Sequence, residues 1–274
     1  SLHDALPIFE ESLKAIRLKT ALQPLVGIIF GTGMGAMADT IDERVVIPYG
    51  AIPHFPLSTV ESHEGNLVFG KLAEKPVVAM QGRFHRYEGY SLQQATYPVR
   101  VMKALGCQYI IIQNAVGCMN PLIPVGALVL ISDHINLMGD NPLIGPNEDS
   151  LGPRFPDMSE PYSRELMALA EEVALENKIR LYKGVAVAVT GPCLETAAEY
   201  RFFRRIGADI VTMSTVPEVI VAVHAGLKAL GLSTVTDACL PDALKPLSIE
   251  EIISISNAQE QNRQTLIKGI IAAL

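Results

Sequence analysis

Apolar runs alternate with amphipathic stretches along most of the chain, and the polar residues that interrupt them gather where the runs end. The segments Leu25 to Phe30, Leu67 to Phe69, Val77 to Met80, Tyr109 to Gln113, Ala127 to Ile131, Gly184 to Thr190, Ala208 to Met213 and Leu232 to Thr236 are short and bounded by turn residues. They are unbroken rather than strictly alternating, which predicts strands buried on both faces. Between them a helical period predicts helices from Met37, from Ser91 to about Leu105 with Gly106 as the stop, from Ser163 to about Glu176, and after Pro217, which sits at a helix start. Ser248 to Glu251 reads as a capping box for a long C-terminal helix. Strands alternating with helices throughout predict an α/β fold with its chemistry at the strand ends.

The stretch Val77 to Tyr90, VVAMQGRFHRYEGY, shows this best. A buried strand ends at Gly82, and extended geometry then points Arg83, His85 and Tyr87 to one side. Arg and His together suit an oxyanion, and Tyr87 offers a flat apolar surface with a polar tip. Read alone, Arg-x-His is more often a solvated surface turn. Other strand ends supply further pieces. Gly31-Thr32-Gly33-Met34-Gly35-Ala36 follows the first strand, so its backbone N–H groups and the Thr32 hydroxyl could cradle phosphate. The same glycines fit a dinucleotide fingerprint, but the position about 20 residues on falls in AIPHFP, with no acid for a ribose diol. His63 lies in a proline-punctuated loop, where a lone histidine is either solvated or functional.

Asn114 to Gly117 reads as a turn of small residues that lets backbone approach a ligand. Glu195, after the strand Gly184 to Thr190, is a helix-start charge or a ligand for a polar N–H pair. The Ser214 hydroxyl beside a helix start is a second phosphate-donor candidate. Residues 133–158 show neither helical nor strand periodicity. A loop that long in a compact domain is usually functional or disordered, and Pro153, Phe155 and Pro156 favour function, as a lid or an arm reaching a neighbouring subunit.

Composition narrows the classes. The 274 residues, 49% hydrophobic and 19% charged, fit one domain with a large core, taken as 9–274. Residues 1–8, SLHDALPI, resemble a non-native or disordered leader and are set aside. No apolar run is long enough to span a bilayer, and a net charge of -7 argues against a nucleic-acid surface. Cys107, Cys118, Cys193 and Cys239 are scattered without metal-ligand or redox spacing, which points to buried thiols in a reducing cytoplasm and to no metal site.

Taken together, GTGMG (31–35), GRFHRYEGY (82–90), NAVG (114–117), GPCLETAAE (191–199) and MSTVPEVI (213–220) resemble the trimeric purine nucleoside phosphorylase family over nearly the whole chain from about Leu25. The resemblance implies a central mixed β-sheet flanked by helices, a homotrimer, and cleavage of the N-glycosidic bond by inorganic phosphate as co-substrate, with no cofactor. It implies a phosphate site of Thr32, His63, Arg83, His85, the Ala115 backbone and Ser214. Tyr87 and Met213 would lie against the ribose, and Phe155 would come from the adjacent subunit. Leu194, Glu195, Val211 and Asp237 would surround the base, so that His85, Glu195 and Asp237 carry the chemistry. The chain departs from the family's 6-oxopurine members at Asp237 (usually Asn), Ile249 (usually His) and Leu194 (usually Phe). Asp237 and Ile249 point to acceptance of 6-aminopurines, with a methylthioadenosine phosphorylase as the alternative. A nucleosidase and a non-catalytic nucleoside binder are the remaining readings.

Overall fold

The structure is a computed structural model that describes residues 5–59 and 64–274. Its nine-stranded sheet contains β1 (Val26–Phe30), β2 (Asp42–Pro48), β3 (Asn66–Leu72), β4 (Lys75–Gln81), β5 (Tyr109–Cys118), β6 (Leu128–Asn136), β7 (Leu181–Ala188), β8 (Ile210–Thr212) and β9 (Lys228–Ala238). The spatial order is β2-β3-β4-β1-β5-β8-β7-β6-β9, and β9 also pairs with β5, so the last five strands close into a ring. Strand β1 pairs in parallel with β4 and β5, and β5 in parallel with β9. The pairs β2–β3, β3–β4, β5–β8 and β6–β9 are antiparallel, so the sheet is mixed. Around it lie α1 (Ala5–Arg17), α2 (Leu92–Ala95), α3 (Tyr97–Leu105), α4 (Arg164–Glu176), α5 (Ala197–Arg205), α6 (Val216–His224), α7 (Ile249–Ala258) and α8 (Glu260–Ala273). One large core fills the space between sheet and helices, and every residue of β1 is buried in it. None of the described helices is long and apolar enough to cross a membrane.

The expected strands are present, but several run further than expected, two of them through stretches read as turn or loop. Residues 114–117 are not a turn: they continue β5, with Asn114 to Gly117 facing Ser233 to Asp237 of β9. Asp133–Asn136, expected to begin a long loop, instead finish β6 against Val185–Ala188 of β7. In both places a bulge interrupts the ladder, between Val116 and Gly117 and between Ile131 and Asp133. A bulge inserts one residue and resets the alternation. Strand β2 is not among the strands expected: its apolar run is only Val45 to Ile47, and most of its side chains are exposed.

The helices differ for local reasons. The segment after Met37 is a 3-10 helix, Gly35–Thr40, and ends where the Thr40 hydroxyl takes the Met37 carbonyl at 2.9 Å. The helix expected from Ser91 to Leu105 breaks at Thr96, because Pro98 has no N–H for the Gln94 carbonyl and its ring would strike that group. Ser248 and Glu251 do form the expected capping box, but the C-terminal helix divides at Gln259. There Arg263 folds back so that Nη1 takes the Ser256 carbonyl at 2.5 Å, an acceptor that a continuous helix would use itself. Residues 5–8, set aside as non-native or disordered, form the first turns of α1, and Ile8 packs on the core.

Candidate active site

Strands β1, β4, β5 and β9 run in the same direction, so the segments after their carboxyl ends converge on one side of the sheet. Ligand sites of open α/β sheets form there. A cavity of about 360 Å³ opens at this edge. It is lined by Thr32 after β1, by Arg83, His85 and Tyr87 after β4, and by Ala115 within β5. Leu194 and Glu195 follow β7, Val211, Met213 and Ser214 surround the end of β8, Asp237 lies on β9, and Ile249 opens α7. Twelve of the fourteen residues proposed from sequence therefore share one cavity. Phe155 does not line it. It is 86% exposed beside Pro156 and Arg154, in a separate surface depression. His63 lies outside the described residues.

Arg83 does not sit on a solvated turn. Gly82, at φ 104°, turns the chain so that the guanidinium enters the interior, where it is 1% exposed. Two of its nitrogens face Glu218 of α6, with Nε 3.0 Å from Oε1 and Nη2 2.8 Å from Oε2. Nη1 donates to the Gln113 carbonyl at 2.7 Å and to Ser214 Oγ at 3.1 Å. A buried cation needs a carboxylate, and sequence alone gave no reason to choose Glu218 over the other acids. The Arg83 side chain is thereby fixed against the Ser214 hydroxyl at the cavity wall.

That hydroxyl is presented by an unusual turn. Thr215 has φ 64° and ψ -55°, and the Val216 N–H donates to the Ser214 carbonyl at 2.6 Å. This is a γ-turn of the strained hand, rarely adopted by a β-branched residue and found where surroundings enforce it. Below it, Thr212 Oγ1 accepts from the Ser214 N–H at 3.1 Å and from Asn114 Nδ2 at 2.9 Å, and Ser233 Oγ donates to Asn114 Oδ1 at 2.7 Å. Asn114 also lines the cavity, and sequence reasoning had used it only as a small turn residue.

His85 is held at Nδ1 by Glu88 Oε1, 3.0 Å away, while its backbone N–H reaches the same oxygen at 2.8 Å. Burial works against ionisation of Glu88, but hydrogen bonds from His85 and Thr59 outweigh it and hold the carboxyl at about 2. An ionised Glu88 can only accept, so Nδ1 carries the hydrogen and Nε2 is the nitrogen turned away from Glu88. Tyr87 stacks on the imidazole with centroids 4.5 Å apart and planes 14° apart.

On another wall, Glu195 and Asp237 interact through their charges. Glu195 Oε1 is buried with no hydrogen-bond partner. Burial pushes the Glu195 carboxyl up, the nearby Tyr200 hydroxyl offsets part of this, and the Asp237 charge adds to it. Asp237 is more fully met: Oδ1 lies 3.2 Å from Thr236 Oγ1 and Oδ2 lies 2.9 Å from Cys239 Sγ. Among the described residues no cluster of His, Cys, Asp and Glu could hold a metal ion. The arrangement offers hydroxyl donors, with the Arg83 cation held behind Ser214, beside an unsatisfied carboxylate acceptor, a combination suited to binding an anion and a polar heterocycle together.

Residues 25–272 match the Phosphorylase superfamily. The chain is 49% identical over 263 residues to purine nucleoside phosphorylase 1 of Bacillus subtilis, covering 96% of this chain and 97% of that protein. It is 40% identical over 273 residues to the purine nucleoside phosphorylase of Mus musculus, covering 97% and 94%. The crystal structure of Schistosoma mansoni purine nucleoside phosphorylase in complex with adenosine superposes with a TM-score of 0.94 at 38% identity, covering 98% of both chains.

Proposed function

Because the chain belongs to the Phosphorylase superfamily and is homologous to purine nucleoside phosphorylases along its length, we propose a residue-level account of the reaction those homologies support. The protein is an enzyme that phosphorolyses purine nucleosides to free base and ribose 1-phosphate. Inorganic phosphate is the co-substrate, and the reaction as drawn below requires neither metal nor organic cofactor.

Thr32, Arg83, His85, the Ala115 backbone and Ser214 receive the phosphate, supported by their shared cavity and by the Arg83 to Ser214 contact. His63 belongs to the same proposal, as the residue that closes over the anion. Tyr87 and Met213 face the ribose, while Leu194, Glu195, Val211 and Asp237 surround the base. As the C1′–N9 bond breaks, its electron pair stays on the purine and the sugar gains oxocarbenium character. A phosphate oxygen then bonds to C1′ from the opposite side. The leaving purine takes at N7 the proton that hydrogen phosphate gives up overall as it becomes the ester, relayed through solvent, and Asp237 accepts from that developing N–H. The observation that carries the reading is Glu195 Oε1, a buried acceptor without a donor in the very cavity that holds the phosphate candidates. A 6-oxopurine brings the N1–H that completes it.

The finer specificity follows from the neighbours. An ionised Asp237 repels a 6-oxo oxygen and accepts from a 6-amino group, which supports turnover of adenosine beside inosine and guanosine. The Schistosoma relative, solved with adenosine, is compatible with this. The half-exposed apolar Ile249 at the cavity wall favours a second reading, a 5′-methylthio substituent in place of the 5′-hydroxyl. Exposed Phe155 supports a homotrimer in which this side chain enters a neighbour's site. Four free cysteines support a reducing, cytoplasmic location. The test is a panel of inosine, guanosine, adenosine and methylthioadenosine, each with phosphate. Purine release is expected from the first three, methylthioadenosine as the preferred substrate would support the second reading, and release from none would contradict the assignment.

A further inference from the structure

We infer that the Cys239 thiol is a positioning residue that aims Asp237 and thereby sets the balance between 6-amino and 6-oxo purines. The inference rests on the reading that Asp237 faces the base. Cys239 is buried just beyond the end of β9, and its backbone N–H donates to the Cys118 carbonyl at 2.8 Å, which fixes it beside β5. From that anchor Sγ lies 2.9 Å from Asp237 Oδ2 and donates to it. The other contact is less committed. Thr236 Oγ1 lies 3.2 Å from Asp237 Oδ1 but also 3.3 Å from the Val116 carbonyl, and a single hydroxyl proton serves one of them at a time. Cys239 Sγ also meets the Tyr200 hydroxyl. With that O–H donating to sulfur, the S–H is left for Asp237, so the thiol proton has one acceptor where the Thr236 proton has two.

The backbone leaves room for this pair. A Cβ on Gly117 would fall 2.4 Å from Cys239 Sγ and 3.1 Å from Asp237 Oδ2, so glycine opens the slot in which thiol and carboxylate meet. The β5–β9 bulge lies at the same level and sets Asp237 opposite Gly117. Burial, then the Asp237 charge, then this hydrogen bond push the Cys239 thiol up, so it remains a proton donor. An S–H aimed at Oδ2 fixes the rotation of the group. What the purine meets is thus an acceptor of fixed direction, matched to an exocyclic amine and mismatched to a 6-oxo oxygen.

The experiment compares kcat/KM for adenosine over inosine in the wild type, Cys239→Ala, Cys239→Ser, Asp237→Asn and the double variant Cys239→Ala/Asp237→Asn. Cys239→Ala should lower the ratio about fivefold, mainly through the KM for adenosine, and Cys239→Ser, which keeps a donor, should restore it. In the Asp237→Asn background, Cys239→Ala should leave the ratio within about twofold. Equal losses on both substrates, or failure of serine to rescue, would show that the thiol only fills space and overturn the inference while leaving Asp237 as selector. If Asp237→Asn itself leaves the ratio unchanged, Asp237 does not select the base, and the premise falls together with the inference.

Discussion

Arg83 and Glu218, 135 positions apart in sequence, meet through two parallel hydrogen bonds of 3.0 and 2.8 Å inside the protein. The pair joins the end of β4 to the first turn of α6 and holds the guanidinium where it touches Ser214. Removing the cation would strand a buried carboxylate. Arg83→Ala is therefore expected to lose about 3–5 kcal/mol of stability, visible as a lowered Tm, in addition to any loss of phosphate affinity. A variant as stable as the wild type would show that the pair is not structurally required.

Phosphate binding is better isolated at Ser214, whose hydroxyl borders the cavity and whose loss leaves no buried charge. Ser214→Ala should raise the KM for phosphate about tenfold, consistent with roughly 1.5 kcal/mol for a hydrogen bond to a charged group, with the nucleoside KM nearly unchanged. Steady-state kinetics varying each substrate in turn would decide it. An equal effect on both substrates would remove Ser214 from the phosphate site.

Glu195 predicts opposite effects on stability and activity. Its carboxyl is raised chiefly by burial, so the protonated form is the one folding favours. The stability it contributes is present at low pH and is lost as pH rises through the folded value. Glu195→Gln should thus raise Tm at neutral pH and much less in acid. The ionised form accepts from N1–H, so kcat/KM for inosine should fall as pH drops, with an inflection above the ordinary carboxylate range, and this limb should vanish in the glutamine variant. Pairing thermal melts with a pH–rate profile checks both signs.

Much of the site was legible because its parts lie within a few residues of strand ends. Thr32, Arg83, His85, Glu195 and Ser214 stand where apolar runs stop, and each reaches the same cavity. What was hidden depends on partners distant in sequence or on departures from regular geometry. Glu218 is one of many acids until the fold brings it to Arg83. Thr215 gives no sign of its positive φ. Asn114 reads as a turn residue because a polar and then small side chains end the apolar run there, although β5 continues through them. Phe155 stays apart from that cavity, exposed in a separate surface depression.

That exposure motivates a prediction about assembly. Light scattering should report a trimer, and Phe155→Ala should raise the nucleoside KM about tenfold, the loss of one buried aromatic contact at the ribose. A fully active monomer would contradict the proposed arm.

The central claim is that phosphate, not water, cleaves the glycosidic bond in the cavity lined by Arg83, His85 and Ser214. Its most direct test is to incubate the protein with inosine with and without inorganic phosphate and to identify the sugar released. Hypoxanthine and ribose 1-phosphate, formed only when phosphate is present, are the predicted result. Free ribose at a rate independent of phosphate would make the protein a hydrolase, and no product in either condition would leave a nucleoside binder; each would contradict the account.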